Sequence, residues 1–157
     1  MKVIDNFLDE RTHEIVKGTL LSGAFPWYYM NGVNTQGSGD YMFIHGFYGN
    51  YAVNSDRFSL LDPFIQLLKP AALRRVKANL YPKTPTRVVH GYHVDYSTGM
   101  TALYFVNTND GDLLIEGADS VKAVANRMVI FNAEVRHSST TCTDENVRCT
   151  LNFNYFD

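Results

Sequence analysis

The chain has 157 residues, of which 45% are hydrophobic and 19% charged, and its formal net charge is -2. This length and composition predict one globular domain over residues 1–157, large enough to bury a core without a disulfide framework or a structural metal. The near-neutral charge argues against a nucleic acid partner, because a phosphate backbone requires a basic surface. No apolar run approaches a membrane span, and the opening residues turn acidic before a signal peptide could form. We therefore expect a cytoplasmic protein with no membrane partner.

Cysteine and aromatic content add two expectations. Cys142 and Cys149 are the only cysteines, and we expect both to be free thiols. Aromatic residues make up 13% of the chain, which favours strands or a pocket lined with rings. Six rings could line a substrate mouth, although ordinary packing accounts for most such rings: Trp27, Tyr28, Tyr29, Tyr41, Phe43 and Phe47.

Two segments in the first half of the chain predict helices. The first has Asp9 as a plausible N-cap, carries its apolar residues on one face and stops before Gly23. In the second, apolar residues recur at helical spacing, Asp62 and Pro63 suit an N-cap and the first helical position, and Pro70 ends the pattern. Both helices precede a long stretch without helical periodicity.

The remaining sequence predicts short strands. They are Trp27–Met30, Tyr41–Phe47, Arg74–Tyr81, Val88–Asp95, Thr101–Val106, Leu113–Glu116, Val121–Ala125, Met128–Phe131 and Arg148–Phe156. The turn signal Asn109-Asp110-Gly111 predicts a hairpin between the strands at Leu103 and Leu113. Many short strands after two helices predict a mainly β (α+β) fold of the jelly-roll or barrel type, with the helices as N-terminal support.

The first motif with metal-binding chemistry is His93-Val94-Asp95. Because side chains alternate along a strand, His93 and Asp95 would project from the same face of the predicted strand and could hold one ion. Alone, the pair is more typical of an exposed polar face at a strand end than of a metal site, so it carries little weight.

A second histidine strengthens the metal hypothesis. His137 is the only histidine after Asp95, and enough chain lies between them for about three short strands that could return it to the first pair. Two histidines and one carboxylate form the facial triad suited to Fe(II), with open positions for substrates. Zinc is the main competitor, since three protein ligands with an open position also describe hydrolytic zinc centres.

The last predicted strand has an unusually regular polar face. Alternation places Arg148, Thr150, Asn152 and Asn154 on one side and apolar residues on the other. Such a face borders either water or a polar cavity. If it borders a cavity, the guanidinium of Arg148 beside a hydroxyl group suits bidentate capture of a carboxylate.

The order His93-x-Asp95, His137 and Arg148-x-Thr150 resembles the 2-oxoglutarate/Fe(II)-dependent dioxygenases, particularly their prolyl 4-hydroxylase-like branch. The resemblance covers roughly residues 74–156, and the Val-Ile-Asp-Asn-Phe-Leu segment near the start is also similar. It implies a double-stranded β-helix (jelly roll) and a hydroxylase that uses Fe(II), 2-oxoglutarate and O2 and releases succinate and CO2.

The resemblance also implies individual roles. His93, Asp95 and His137 would be the catalytic Fe(II) ligands. Arg148 would form a salt bridge with the distal carboxylate of 2-oxoglutarate, helped by Thr150, and Tyr81 matches a pocket tyrosine near the cosubstrate. Some relatives have a tyrosine that contacts the cosubstrate where this chain has Phe105, so that donor is absent here.

The substrate stays open at this point. A prolyl residue, a peptide or a related small molecule fits the resemblance, and selectivity would lie in the loops Gly32–Asp40, Thr84–Arg87 and Ser97–Gly99. Arg75 and Lys77 share a predicted strand face that could meet an acidic substrate, although a solvated face is the simpler interpretation. Two alternatives stand beside the dioxygenase: a zinc-type metal hydrolase and a non-catalytic jelly-roll binding module. The sequence does not indicate an oligomeric state.

Overall fold

A computed structural model describes residues 1–34, 37 and 39–157. Its helices are α1 (Glu10–Leu20) and α2 (Asp62–Leu68). Its strands are β1 (Lys2–Ile4), β2 (Tyr28–Met30), β3 (Met42–Gly49), β4 (Ala52–Val53), β5 (Ala72–Pro82), β6 (Met100–Phe105), β7 (Asp112–Ile115), β8 (Val121–Lys122), β9 (Arg127–Asn132), β10 (His137–Ser139) and β11 (Val147–Phe156). The mainly β architecture with two N-terminal helices is confirmed.

The strands form two antiparallel sheets. The larger sheet has the order β1-β9-β6-β11-β5-β3-β2, with β4 added alongside β3, and the smaller sheet has the order β10-β7-β8. Apolar side chains of β6 and β9 pack against those of β7 and β8, so the two sheets enclose a second core. This two-sheet arrangement, in which the chain crosses repeatedly between sheets, is a jelly roll.

The main core lies on the opposite face of the larger sheet, under the helices. Val16 and Leu20 of α1 and Phe64 of α2 are buried there against the sheet residues Leu151 and Phe153. The apolar face of β11 therefore points to the helices, which leaves the other face of this strand for the interior between the sheets. In the part of the chain described by the structure, no helix is long and apolar enough to cross a lipid bilayer.

Helix boundaries follow the predicted capping signals closely. Asp9 is the N-cap of α1, and its carboxylate accepts a hydrogen bond of 3.0 Å from the backbone N–H of Thr12. The prediction for α2 is wrong by one residue, because Leu61 is the N-cap and Asp62 is already helical. A 3₁₀ turn over Phe58–Leu61 leads directly into this helix, so no capping side chain is required at its start.

The predicted strand over 88–95 does not form. The segment makes only two isolated antiparallel bridges, Val89 with Thr140 and His93 with His137. Four positions separate Val89 from His93, whereas three separate Thr140 from His137, so an extra residue interrupts the ladder. The alternation of His93 and Asp95 on a strand face was therefore the wrong reason for placing them together.

The prediction that Asn109-Asp110-Gly111 joins two paired strands of a hairpin is also wrong. β6 pairs with β9 and β11, whereas β7 pairs with β8 and β10, so this turn carries the chain from one sheet to the other. The local turn itself is present, because the side-chain carbonyl of Asn109 accepts a hydrogen bond from the N–H of Gly111 at 3.0 Å. Turn residues specify a change of direction, but the pairing of the strands depends on the rest of the fold.

Three short strands escaped prediction, namely β1, β4 and β10. Each has three residues or fewer, too short for alternation to be visible. Cys142 and Cys149 are both free and buried, as expected.

Candidate active site

A narrow polar cavity lies between the two sheets. It is lined by β5 and β11 of the larger sheet, by β10 of the smaller sheet and by the segment that carries His93 and Asp95. We call residues 87–99 the metal loop. The sequence-predicted residues His93, Asp95, His137, Tyr81, Arg148 and Thr150 all line this cavity.

The two histidines and the aspartate converge at one end of the cavity. Their ligand atoms all lie within 4.8 Å of one another, and no other such group of His, Cys, Asp or Glu side chains occurs in the described chain. Nε2 of His93 is 3.9 Å from Oδ1 of Asp95, and Nε2 of His137 is 3.9 Å from Oδ2 of the same carboxylate. Small side-chain rotations would bring the two Nε2 atoms and one carboxylate oxygen to one ion, since metal–nitrogen and metal–oxygen bonds are about 2.1 Å long.

Hydrogen bonds orient the imidazole of His137 for metal binding. Its Nδ1 atom lies 2.9 Å from the carbonyl oxygen of Val135, where Nδ1–H donates and leaves the Nε2 lone pair facing Asp95. In His93 the corresponding Nδ1 atom is 3.4 Å from the carbonyl oxygen of Gly91. Burial and the nearby His137 lower the pKa of His93, which favours the neutral form that a metal requires.

Asp95 is held by four side chains of the larger sheet. Arg75 donates to its Oδ1 atom at 3.0 Å, and Oδ2 accepts hydrogen bonds from Asn154 at 2.9 Å, Asn152 at 3.2 Å and Thr101 at 3.1 Å. Burial alone would raise the pKa of Asp95, but the hydrogen bond from Asn154 and the charge of Arg75 together lower it to about 2. The carboxylate is thus ionised and fixed in one orientation.

These four supporting residues were not predicted as part of the site. The alternation of β11 had placed Asn152 and Asn154 on the polar face of Arg148, which was a usable signal. Nothing in the sequence indicated that Arg75 and Thr101 would meet Asp95, because they come from two other strands whose relative position only the fold defines.

At the other end of the cavity, Arg148 is buried and forms no ion pair with any acidic side chain among the described residues. Only 1% of the residue is exposed. Among the described residues, its Nε atom has no hydrogen-bond partner, and its Nη2 atom reaches only the backbone carbonyl of Asp112, at 3.4 Å. The guanidinium carbon lies 5.2 Å from the ring centre of Tyr81 and 5.6 Å from that of Phe105. Burial lowers the pKa of Arg148, as expected for a cation removed from water.

The polar face of β11 therefore borders a cavity and not solvent. Arg148, Thr150, Asn152 and Asn154 are all buried, and Thr150 accepts a hydrogen bond of 3.4 Å from Asn79 on β5. Two further buried atoms of residues that line the cavity, Oδ1 of Asn79 and Oδ1 of Asn152, have no partner among the described residues. A row of unsatisfied polar atoms in a closed space is typical of a binding site for a polar ligand.

Lys77 is a cavity residue for which the sequence favoured a solvated face. Its side chain is half-buried and lines the cavity together with the candidate metal ligands. Burial and the charge of Arg75 lower the pKa of Lys77 to about 8, against a smaller opposing effect of Asp95. The basic face of β5 therefore lies inside the site.

The six aromatic residues suggested as a substrate mouth do not line this cavity. Phe47 is fully buried in the main core, and Tyr29, Tyr41 and Phe43 contact one another with ring centres 6.0 to 6.1 Å apart. The neighbouring Met42 faces the cavity instead, because alternate residues of β3 point to opposite sides of the sheet. Of the predicted loop Gly32–Asp40, residues 33 and 34 line the cavity, and residues 35, 36 and 38 lie outside the described residues.

Comparison with known proteins identifies the fold. No protein-family model matches the chain, and no curated protein is a significant match. Solved structures do match it over almost its whole length. A Pseudomonas putida prolyl-4-hydroxylase is 16% identical with a TM-score of 0.66, over 99% of this chain and 92% of that one.

Two further solved structures support the same assignment. A Trichoplax adhaerens prolyl hydroxylase, solved in complex with a hypoxia inducible factor peptide fragment, is 18% identical with a TM-score of 0.63, over 99% of this chain and 83% of that one. A non-heme alpha ketoglutarate dependent epimerase from nogalamycin biosynthesis is 14% identical with a TM-score of 0.70, over 99% of this chain and 77% of that one. The chain thus has the jelly-roll fold of the 2-oxoglutarate/Fe(II) oxygenases, as the sequence resemblance implied.

Proposed function

We propose that this protein is a 2-oxoglutarate- and Fe(II)-dependent dioxygenase that hydroxylates an unactivated carbon. The observation that carries the proposal is Arg148, a buried guanidinium that forms no ion pair within the described part of the chain, in the same cavity as the triad of His93, Asp95 and His137. A buried cation is costly unless an anion compensates it, so this cavity is built for a ligand with a carboxylate.

The donor set fits Fe(II). Two neutral imidazole nitrogens and one carboxylate oxygen are the protein ligands of non-heme iron oxygenases, and they leave positions for a chelating ligand and for O2. Bound iron would supply the oxidative chemistry, in which 2-oxoglutarate is decarboxylated to succinate and CO2 while the substrate is hydroxylated. Asp95, held by its four side-chain partners, keeps its two oxygens in place for this ligand set.

The spacing of the polar residues suits 2-oxoglutarate. Arg148, Thr150 and Asn152 follow one another on the cavity face of β11, and Asn152 contacts the metal ligand Asp95. A diacid could therefore place its keto acid end at the metal and its distal carboxylate at Arg148, with Thr150 as a neighbouring hydroxyl. Tyr81 is buried beside this end of the cavity, with its ring centre 5.2 Å from the guanidinium carbon of Arg148 and 5.3 Å from the ring centre of His90.

The prime substrate belongs to the same proposal. A prolyl residue, a peptide or a related small molecule is consistent with the fold, which occurs in the prolyl hydroxylase solved with a peptide and in the epimerase that acts in nogalamycin biosynthesis. The expected cytoplasmic location and the single domain over residues 1–157 stay predictions.

A zinc hydrolase is the less economical alternative. Such an enzyme generally needs a general base near the metal-bound water, and Asp95 is the only carboxylate among the described residues that line the cavity. It would also leave the buried charge of Arg148 without a function. A non-catalytic binding module would leave both the triad and Arg148 unexplained.

The decisive experiment is anaerobic titration of the protein with Fe(II) and 2-oxoglutarate, followed by visible spectroscopy. We expect a metal-to-ligand charge-transfer band in the wild type, and we expect Asp95→Ala and His137→Ala to abolish it. A wild type without the band, or a band that survives in both variants, would overturn the proposal. Succinate release measured in air with proline-containing peptides and with free amino acids then separates the substrate classes.

A further inference from the structure

We propose that Lys77 recognises an anionic group, a carboxylate in the first instance, on the prime substrate. This inference rests on the proposed dioxygenase function and names the chemical class of its substrate. Lys77 is not one of the residues that the sequence assigned to metal or cosubstrate, and the position of its side chain inside the cavity comes from the structure.

The register between β5 and β11 places Lys77 beside the metal site. Along the cavity face, Tyr81 pairs with Arg148, Asn79 with Thr150, and Lys77 with Asn152. Asn152 in turn donates a hydrogen bond of 3.2 Å to Asp95. Lys77 therefore stands at the level of the metal ligands, four residues from the Arg148 pair.

That separation removes Lys77 from the distal carboxylate of the cosubstrate. Four residues of antiparallel strand span about 13 Å, so the backbone of Lys77 lies about this far from the pair formed by Tyr81 and Arg148. The ammonium group of Lys77 is thus left for a molecule that approaches the metal from the other side.

The ammonium group of Lys77 is unpaired within the described part of the chain. Among the described residues, its ammonium group forms no ion pair, although Lys17 pairs with Glu14 and Lys122 with Asp112. A half-buried ammonium group without such a partner gains from an external anion that reaches it.

The balance of charges in the site also favours an anionic substrate. Arg75 is already paired with Asp95, and Arg148 is matched by the distal carboxylate of 2-oxoglutarate in the proposed complex. In the proposed complex the positive charges are those of Arg75, Lys77, Arg148 and a divalent metal ion. The negative charges of Asp95 and of the two carboxylates of 2-oxoglutarate are too few to balance them. One further negative charge beside Lys77 would reduce this excess, whereas a second cation would be repelled.

Space for such a group exists next to Lys77. The residue opposite it on β3 is Gly46, and a Cβ atom built on Gly46 would meet no atom within 4 Å. Gly46 is exposed, so this side of the lysine opens towards solvent. A substrate can therefore reach the ammonium group past the glycine without displacing a protein side chain.

The test measures binding of matched acid and amide pairs to the full chain loaded with Fe(II) and 2-oxoglutarate under anaerobic conditions. The probes are N-acetylproline with N-acetylprolinamide, 3-phenylpropionate with its amide, and a proline-containing peptide with glutamate or glutamine beside the proline. Calorimetry and perturbation of the charge-transfer band report binding. We expect at least one acid to bind the wild type about 10-fold more tightly than its amide, the effect of one charge-assisted contact.

We expect the Lys77→Gln variant to bind the acid and its amide with nearly equal affinity. The Lys77→Arg variant should keep most of the wild-type preference for the acid. Lys83→Gln is the matched control, because Lys83 is exposed and lies just beyond the end of the same strand. A wild type that prefers none of the acids over its amide would overturn the inference, as would a preference that survives in Lys77→Gln.

A loss of 2-oxoglutarate affinity in Lys77→Gln would also overturn it, because the lysine would then belong to the cosubstrate site. The charge-transfer band separates this failure from failure of the proposed function. If the band forms and only the acid preference is missing, the dioxygenase assignment stands and the substrate class is wrong.

Discussion

His93 and His137, two of the candidate metal ligands, are joined through their backbones. The N–H of each residue donates to the carbonyl oxygen of the other, and both N···O distances are 2.9 Å. Their rings consequently lie close together, with centres 4.5 Å apart. Since one histidine belongs to the metal loop and the other to β10, this bridge fixes the spacing of two ligands before any metal binds.

Ser138 adds a second tie between the same two segments, because its hydroxyl donates to the carbonyl oxygen of His90. We expect Ser138→Ala to lower the free energy of unfolding by about 1 kcal/mol, the value of one net hydrogen bond. It should also weaken Fe(II) binding, since the metal loop is held less firmly. Urea denaturation and anaerobic iron titration measure the two effects. Ser97→Ala, at an exposed position of the same loop, is the control, and equal iron affinities in the two variants would contradict the prediction.

Removal of the buried guanidinium should disable cosubstrate binding. Arg148→Met keeps most of the side-chain volume, and we expect it to reduce 2-oxoglutarate affinity about 100-fold or more, as for loss of one partner of a buried ion pair. Iron affinity should change little, because Arg148 contacts none of the three ligands. Arg127→Met is the comparison, since Arg127 pairs with Asp5 near the surface. Unchanged 2-oxoglutarate affinity in Arg148→Met would remove this residue from the site.

A substitution at Gly111 tests the same proposed cosubstrate pocket without removing a polar side chain. A Cβ atom at this position would lie 2.7 Å from Cδ of Arg148 and 2.8 Å from Oδ1 of Asn109. Gly111→Ala should therefore displace the arginine, lower stability by about 1–3 kcal/mol and weaken 2-oxoglutarate binding. Gly18→Ala is the control, because a Cβ atom there meets nothing within 4 Å. Wild-type cosubstrate affinity in Gly111→Ala would show that the arginine side chain adapts.

Asn154 should act as a positioning residue for the metal site. Its amide donates to Asp95 at 2.9 Å, and its carbonyl oxygen accepts from Arg75 at 3.0 Å, so it holds both partners of the ion pair. We expect Asn154→Ala to reduce iron affinity about 10- to 100-fold, the range for residues that support metal ligands. The charge-transfer band should persist at saturating iron, which distinguishes this effect from loss of a ligand. Asn132→Ala, at an exposed position on β9, should leave iron binding unchanged, and equal behaviour of the two variants would contradict the role of Asn154.

We expect the folded protein to lose stability on acidification because of His13. It is buried, and Nδ1 lies 2.6 Å from the hydroxyl of Tyr104, which itself donates to Asn126. Burial and the charge of Lys17 lower the pKa of His13 below its ordinary value of 6.5, although Glu14 opposes this. The unfolded chain therefore takes up a proton more readily, so this contribution to stability is present above pH 6.5 and is lost as the pH falls through and below that value.

Unfolding by urea at a series of pH values between 7.5 and 5.5 measures this effect. His13→Gln should be less stable than the wild type at pH 7.5, because the contact with Tyr104 is weakened, and should lose less stability on acidification. Some dependence on pH will remain, since burial also lowers the pKa of His90. If the free energy of unfolding falls equally with pH in the wild type and in His13→Gln, then His13 does not control the pH dependence.

Local signals in the sequence were sufficient for much of the fold. Asp9 marked the start of α1, and the alternation along β11 separated the polar face of Arg148 from the apolar face of Leu151. These features depend on residues within a few positions of one another, so chain periodicity and capping chemistry define them. Residue chemistry and chain order also indicated His93, Asp95 and His137 as a candidate set, and the structure brings them together although the predicted strand over 88–95 does not form.

The tertiary structure decided everything that depends on which strands are neighbours. Residues 88–95 have the composition of a strand. They do not pair with β10 along their length, because β10 is short and the register between the two segments shifts by one residue. Asn109-Asp110-Gly111 has the composition of a hairpin turn, yet it connects two different sheets. The contacts of Arg75, Thr101 and Asn154 with Asp95, and the entry of Lys77 into the cavity, likewise join segments that are distant in the chain. Such contacts follow from the packing of two whole sheets, which no short stretch of sequence specifies.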